Sequence, residues 1–272
     1  MTMKSTVAIL LTALAVAACS TTREVAAPVD PLAGVNEMVA TNNGIVASRL
    51  HPTGGLAMSF GCSAEACVTT GGFIVTPTGV SRQLFQDGFE QEREIGGVQL
   101  VESIHEDGDW RLYGGWLDNA AAFVQRLRPL GATGGSDWFV GLAFGALSED
   151  PLPVEGTASW RGAMVGVHTN SQDRYAGDAN LVATFGALPS MGVSFTRIAN
   201  VETGAAREDI SFDQVTLFPE TSKFVELQPG DGPFQEAPIY INGRFYGPNH
   251  QEAAGVFGYN ELIGAFGARK QE

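Results

Sequence analysis

Cys19 is the residue whose type and position most clearly predict chemistry in this sequence. The small residues Val16–Ala18 come directly before it, and Lys4 and the apolar run Val7–Leu14 come earlier. This order is typical of a secretory signal, because the apolar run is too short to span a membrane. A cysteine at this point predicts cleavage before Cys19 and transfer of a diacylglycerol to its thiol.

The alternative is an ordinary signal peptide that is cleaved near Ala18 and leaves a free N-terminal cysteine. We favour lipidation, with residues 1–18 as a lipoprotein signal peptide and acyl chains such as palmitate on Cys19. Several acyl chains on one residue form a durable anchor, so the membrane is contacted through lipid alone. Ser20 follows the cysteine, whereas an Asp there usually retains a lipoprotein at the inner membrane of Gram-negative bacteria. The sequence therefore predicts a lipid-anchored outer-membrane protein.

Cys62 and Cys67 are the other two cysteines, and four residues separate them. An exported chain reaches an oxidising compartment, where this spacing allows a small disulfide loop. A redox or metal-binding pair is the alternative, but a zinc site needs about four ligands and no histidine or third cysteine lies nearby. We therefore expect a structural disulfide between Cys62 and Cys67.

The remaining polar clusters match no known catalytic motif. The densest, His105–Asp109, has the carboxylates for a calcium site, but a hairpin turn with solvated acids explains it as well. Nucleophile-elbow, zinc-protease and phosphate-loop motifs do not occur. We predict no catalytic residue, no metal site and no cofactor, and hence a protein that is not an enzyme. Four histidines are isolated in the sequence and each is expected to be a solvated loop residue: His51, His105, His168 and His250.

The net charge excludes nucleic acid as a partner. The chain carries 16 Lys and Arg against 30 Asp and Glu. Removal of residues 1–18 takes away Lys4 and no acid, which leaves a net charge near −15. Phosphate repels such a surface, whereas a basic protein face remains compatible with it.

Composition and segment patterns predict an all-β chain. The 34 glycines and 13 prolines are spread along it and indicate short strands with tight turns. Residues 19–43 lack periodicity and are predicted to form a flexible tether. Residues 44–150 contain short apolar runs between turn signals and are predicted to form a β-rich domain. Within it, Trp116–Leu127 has helical spacing, so helix and strand both remain possible and we favour strand. Its aromatic residues are candidates for core packing or for anchoring a protein partner: Trp110, Tyr113, Trp116 and Trp138.

Residues 151–272 carry strand-like segments at even spacing, which is typical of an up-and-down barrel or a sandwich. In Ala179–Phe185 one set of alternating residues is apolar, and the opposing set carries Asn180 and Thr184, as in a half-buried antiparallel strand. The apolar set is Ala179, Leu181, Ala183 and Phe185. We predict an eight-stranded antiparallel β-barrel. The expected strands are 157–167, 178–186, 191–198, 210–218, 223–228, 238–246, 252–258 and 262–268.

The closing segment carries an ordered set of motifs: Phe245–Pro248, then Glu252, Gly255–Phe257 and Gly264–Arg269. This order resembles the closing strands of the transferrin-binding-protein-B-like surface lipoproteins, a group that includes the factor H-binding type. Gly255 and Gly264 are expected to let the strands curve, because a side chain would collide with the opposite wall of a narrow barrel. Three further segments resemble that family, namely Gly156–Gly162 and Gly177–Gly186 of its barrel and Tyr113–Trp116 of its handle domain.

The resemblance implies a handle domain over 44–150 and a barrel domain over 151–272, in a lipoprotein on the cell surface. It implies a non-enzymatic module that binds a protein or an iron- or haem-bearing ligand in nutrient acquisition, with an outer-membrane receptor as a further partner. This chain is much shorter than the two-lobed transferrin binders and matches one lobe at most. A carrier of a small lipophilic ligand and a structural envelope lipoprotein are the alternatives. A barrel filled by Phe185, Phe257 and Phe266 would leave no room for a small ligand, whereas a hollow barrel could carry one.

We expect binding through loops and exposed faces, because scaffold-borne loops vary without unfolding the core. The loops with the greatest polar variety are Asn170–Arg174, Glu202–Asp209, Glu220–Lys223 and Gln228–Asp231.

Overall fold

The computed structural model describes residues 46–50, 58–61, 67–68, 74–75, 90–104, 110–127, 138–228 and 239–272. Within these ranges the regular structure is all-β, as predicted, apart from a 3₁₀ turn at Pro248–His250. No helix in the described part of the chain is long and apolar enough to cross a membrane.

Nine strands lie in the N-terminal part: β1 (Val46–Leu50), β2 (Met58–Gly61), β3 (Cys67–Val68), β4 (Ile74–Val75), β5 (Glu90–Ile95), β6 (Val98–Ile104), β7 (Trp110–Trp116), β8 (Ala120–Leu127) and β9 (Trp138–Gly145). Seven of them form an antiparallel sheet in the spatial order β2-β1-β9-β8-β7-β6-β5, which we call the handle sheet. β3 and β4 form a separate two-stranded ladder.

The segment Trp116–Leu127 is a turn followed by β8, so the strand interpretation is confirmed. The Leu117 N–H donates to the Ala120 carbonyl at 2.8 Å and closes the β7–β8 hairpin. Residues 120–125 are all buried. Both faces of β8 therefore carry buried side chains, and the alternation that marks a half-exposed strand is absent.

Eight strands form the C-terminal part: β10 (Gly156–His168), β11 (Arg174–Phe185), β12 (Ser190–Asn200), β13 (Ile210–Phe218), β14 (Lys223–Gln228), β15 (Ile239–Tyr246), β16 (Glu252–Tyr259) and β17 (Leu262–Lys270). They run up and down in chain order, and β10 pairs with β17 to close the barrel. All eight predicted strands are confirmed. The predicted and observed bounds differ most at the start of β11, which was expected at residue 178 and begins at Arg174. A register shift between Ala176 and Asp178 interrupts the alternation there.

Inward-facing aromatic side chains fill the barrel. The ring of Phe195 lies 4.5 Å from that of Phe257 and 5.4 Å from that of Phe266, measured between centroids. These three side chains are fully buried and Phe185 is nearly so, which decides between a filled and a hollow barrel in favour of the filled one. The other large, fully buried side chains of this cluster are Trp160, Phe212, Phe224 and Phe245.

Gly255 and Gly264 lie opposite aromatic residues of the neighbouring strand. β16 and β17 pair Gly255 with Phe266, and Phe257 with Gly264. A Cβ on Gly255 would lie 2.7 Å from Phe266 Cζ, and one on Gly264 would clash with the Phe257 ring. The expected collision with the opposite wall is therefore wrong, because the ring that needs the space comes from the adjacent strand. Two further pairs have the same arrangement, Phe224 with Gly243 and Tyr240 with Gly258.

The handle sheet packs against the outer face of the barrel through a second apolar cluster. β8 and β9 contact β16 and β17. At Gly267 a Cβ would lie 2.6 Å from Leu117 Cδ1, so the absence of a side chain admits Leu117 from the handle sheet. Further members of this cluster are Tyr113, Val124 and Phe139 of the sheet, and Val165, Tyr246 and Ile263 of the barrel.

Candidate binding surfaces

Glu252 connects the barrel to the handle sheet. Its side chain lies at the start of β16 and is buried. The carboxylate accepts hydrogen bonds from the backbone N–H groups of Asp118 and Asn119, both at 2.8 Å. Burial raises the pKa of Glu252, and these two hydrogen bonds oppose the rise. The glutamate of the sequence motif therefore accepts the hydrogen bonds of two backbone N–H groups in the β7–β8 turn, and its role is structural.

Arg269 strengthens the same junction. It is the register partner of Glu252 on β17. Its guanidinium donates to the Gly97 carbonyl and lies 3.3 Å from the Asp118 carboxylate. The two partners belong to the β5–β6 and β7–β8 turns, so one barrel side chain binds both turns.

Arg174 forms a second junction at the other end of the barrel wall. It makes an ion pair with Glu102 of the handle sheet and another with Glu202, at 2.7 Å. Its guanidinium also lies over the Tyr113 ring, 5.2 Å from the centroid. Burial lowers the pKa of Arg174, but the hydrogen bonds and charges of the two glutamates outweigh it and the pKa is raised. Arg174 thus stays charged and fixes the loop that contains Glu202.

His250 is buried, and the expectation of a solvated loop histidine is wrong for this residue. The 3₁₀ turn places its ring edge-on to Phe245, with centroids 5.5 Å apart. Its carbonyl accepts a hydrogen bond from Trp160 Nε1 at 2.8 Å. Its Nε2 is buried without a hydrogen-bond partner in the described part of the chain. Burial lowers the pKa of His250; Asp150 opposes this effect and Lys270 adds to it.

The up-and-down strand order distributes the predicted binding loops between two ends of the barrel. Asn170–Arg174 and Glu202–Asp209 lie together at one end, which we call the upper end. Glu220–Lys223 lies at the opposite, lower end. Of the fourth loop, Gln228–Asp231, the residues after Gln228 lie outside the described residues. The loops therefore do not form one continuous surface.

Hydrogen bonds fix the upper-end loops in shape. Asn200 Oδ1 accepts from the backbone N–H groups of Glu202 and Thr203, at 2.9 and 2.8 Å. His168 Nε2 lies 2.9 Å from Glu261 Oε2 and joins the β10–β11 turn to the β16–β17 turn. A binding surface of this kind is preorganised, because its loops are already ordered before a partner arrives.

The lower end carries apolar side chains that the sequence analysis did not identify as functional. Four large apolar residues are exposed there and on the adjoining wall: Val154, Val182, Leu188 and Phe218. The one available signal is Leu188, a large apolar residue in a turn, where small and polar residues are usual.

Several residues singled out from the sequence cannot be placed. Cys19, Cys62 and His105–Asp109 lie outside the described residues, and Cys67 is described through the backbone of β3. Tyr113 is buried in the cluster between sheet and barrel, which supports its core-packing role. Trp116 is half-buried against Phe123, with ring centroids 4.7 Å apart. In the described part of the chain, no three His, Cys, Asp or Glu side chains converge as a metal site.

Comparison with known proteins gives similarity to solved structures alone. No protein-family profile and no curated protein sequence matches the chain. The intact Ap-TbpB structure, with N and C lobes, is similar over 84% of this chain and 46% of its own length, at 14% identity and a TM-score of 0.45. Isotype 1 TbpB of serogroup B Neisseria meningitidis is 16% identical, with 84% and 44% of the two chains covered and a TM-score of 0.42.

The N-lobe of lactoferrin-binding protein B of Moraxella bovis is 12% identical, with 84% of this chain and 99% of that chain covered and a TM-score of 0.36. The chain thus spans about half the length of the intact, two-lobed proteins and the whole length of this single lobe. The architecture described above rests on the strand order and register of this chain.

Proposed function

We propose that this protein is a surface lipoprotein that binds a protein ligand on the outside of its barrel and catalyses no reaction. The observation that carries this proposal is the filled interior, where Phe195, Phe257 and Phe266 occupy the space in which a carrier would hold its ligand. A ligand must then bind to the outer surfaces. Loops and flat faces there suit a partner of protein size, because contact areas on exposed surfaces must be large to give affinity.

The upper-end loops support this recognition role. Loops 170–173 and 202–209 are mostly polar and are exposed or half-buried, and they are carried on the closed barrel. Arg174 anchors one of these loops to the handle sheet through Glu102, so sheet and barrel present their surfaces together.

In this proposal residues 1–18 direct export, Cys19 carries the lipid anchor in the outer membrane, and residues 19–43 tether the folded part. A disulfide between Cys62 and Cys67 closes a small loop. The ligand is an iron- or haem-bearing protein, and an outer-membrane receptor is the second partner. The resemblance of the closing strands supports this ligand class.

The experiment is capture by the full-length protein, purified in detergent and immobilised, from extracellular fluid and separately on haemin-agarose. We expect retention of a protein that mass spectrometry identifies, and loss of retention for an upper-end variant that combines Asp173→Lys with Glu208→Lys. Glu149→Lys, at an exposed position between β9 and β10, is the matched control and should retain the ligand. Recovery of a bound lipid from the purified protein, with no protein captured, would contradict the proposal.

A further inference from the structure

Four large apolar side chains are exposed in the described part of the chain, and all belong to one region of the barrel. The exposed fractions are 87% for Val154, 51% for Val182, 90% for Leu188 and 39% for Phe218. Single exposed apolar residues are common on proteins, whereas a group of them marks an interaction site. The question is therefore whether these four residues are neighbours.

The strand register brings them together. β12 and β13 pair Ser190 with Thr216, so the turn that holds Leu188 lies beside the end of β13 that holds Phe218. β10 and β11 pair Gly156 with Phe185, which places Val154 beside the same turn. Val182 points outward from β11 on the adjoining wall. The four residues thus surround the lower end of strands β10 to β13.

The wall between these residues is free of charge. Its outward-facing residues are small or hydroxylated: Thr157, Ser159, Asn180, Thr184, Ser190, Gly192, Ser194 and Thr216. We call these residues and the four apolar residues the lower patch. Asp213 is exposed on β13 opposite Gly192, so the uncharged wall ends at β13. Absence of charge is typical of the centre of a protein interface, because charged groups are costly to desolvate.

Gly192 leaves open space at the surface of the patch. It is the register partner of Val182 in the middle of the patch. A Cβ on Gly192 would meet nothing within 4 Å, and its φ lies outside the left-handed region. The irregularity of pairing at this point lies on β13, where two residues stand opposite one. A glycine in a strand often marks a bulge, as opposite β13 here, and the open space above Gly192 also leaves room for another backbone to approach.

The charges at the border of the patch restrict what can bind. Glu155, Asp213 and Glu220 are exposed there, and Arg161 is exposed at the upper border. Lys223 pairs with Phe218 on the next strand but is half-buried, and burial and the nearby Arg244 lower its pKa. A second copy of the chain would bring two strongly acidic molecules together, and an anionic lipid surface would also be repelled.

We propose that the lower patch docks a protein that presents a flat apolar surface with basic residues at its border. This is a second interaction surface, at the end of the barrel opposite the loops of the proposed ligand site. It extends the proposed function, which requires both a ligand and a receptor, but its geometry does not depend on the upper-end loops.

The probe is a library of random 12-residue peptides displayed on phage and selected on the full-length protein. We expect the recovered peptides to be rich in apolar and basic residues. Leu188→Asp and Phe218→Asp should each weaken their binding about tenfold or more. Gly192→Thr should also weaken it, through bulk placed where the partner's backbone approaches, while thermal unfolding stays unchanged. Gln99→Glu, at an exposed position of β6 in the handle sheet, is the matched control and should bind normally.

Peptides that bind wild type, Leu188→Asp and Gly192→Thr equally would overturn the proposal. A dimer in analytical ultracentrifugation that Leu188→Asp dissociates would also overturn it, because the occupant would be a second copy. The proposal would also be overturned if the Cys19→Ala protein floated with phosphatidylethanolamine vesicles and Leu188→Asp abolished this flotation. The occupant of the patch would then be a membrane. Failure to capture an extracellular protein would contradict the proposed ligand site at the upper end. It would not affect the peptide result, which tests the lower patch alone.

Discussion

The ring of Phe257 lies against Gly264, its register partner on the neighbouring strand, and the ring of Phe266 lies against Gly255 in the same way. Each Gly-x-Phe segment of the closing motif therefore places its glycine beneath the phenylalanine of the other. The motif is a reciprocal packing unit, in which the absence of two side chains makes room for two aromatic rings at the centre of the barrel.

Adding a methyl group beneath one of these rings should destabilise the fold. We expect Gly264→Ala to lower the free energy of unfolding by about 1–3 kcal/mol, because the Phe257 ring must leave its position. Gly192→Ala is the matched control, since open space surrounds that position, and its stability should stay within about 1 kcal/mol of wild type. Urea unfolding followed by tryptophan fluorescence measures both. Equal stability of the two variants would show that the ring does not need the space.

Truncation of a buried aromatic side chain should lower the stability of the fold, and should not directly remove a ligand contact. Phe257→Ala should cost about 3–5 kcal/mol, the usual range for a buried phenylalanine. Phe218→Ala, at an exposed position, should cost much less. A thermal melt beside the capture assay separates the two effects. If Phe257→Ala abolished ligand capture at full stability, the barrel interior would be the binding site and a small-ligand carrier would replace the proposed function.

Loss of the Glu252 carboxylate should loosen the junction between barrel and handle sheet. Glu252→Ala leaves two backbone N–H groups of the β7–β8 turn without their acceptor, which should cost about 1–3 kcal/mol. Glu252→Gln keeps one acceptor oxygen and removes a buried charge, so its cost should be smaller. Hydrogen exchange at Asp118 and Asn119 is the direct readout, and unchanged protection in Glu252→Ala would contradict this role.

Acid should destabilise the protein through His250. Its folded pKa is below the ordinary value of 6.5, so the folded state binds fewer protons than the unfolded state as the pH falls through 6.5. Stability should therefore fall as the pH falls through 6.5 and level off below the folded pKa. His250→Gln should remove this part of the slope. Glu252 titrates with the opposite effect on stability, but it is present in both wild type and His250→Gln. Its contribution therefore cancels when the pH dependence of stability is compared between the two proteins. Parallel stability curves for the two proteins would refute the assignment.

The lipid anchor has a direct test. Cys19→Ala should move the protein from the membrane fraction to the soluble fraction, because no other residue is proposed to hold it at the membrane. Ser20→Ala is a suitable control and should leave the protein membrane-bound. A Cys19→Ala protein that still pelleted with outer membranes after a high-salt wash would rule out lipidation as the means of attachment.

The eight barrel strands could be predicted because their information is local. Alternation in Ala179–Phe185 and the turn at Gly247 and Pro248 depend on neighbouring residues alone, and both are observed. The sequence of Trp116–Leu127 did not distinguish helix from strand, and the reason lies outside the segment. Both faces of β8 are buried, and this depends on what the rest of the chain packs against it.

The candidate surfaces could not be predicted in the same way. Glu252 accepts hydrogen bonds from residues more than 130 positions earlier, and Val154, Leu188 and Phe218 become neighbours through strand register. His250 looked like a loop residue because its burial arises from the turn that covers the barrel end. Amino-acid type and short-range spacing determined which segments form strands, whereas the closed barrel decided that aromatic side chains fill its interior. Barrel closure and register, which depend on contacts between distant segments, decided which glycine lies beneath which ring and which exposed residues share a surface.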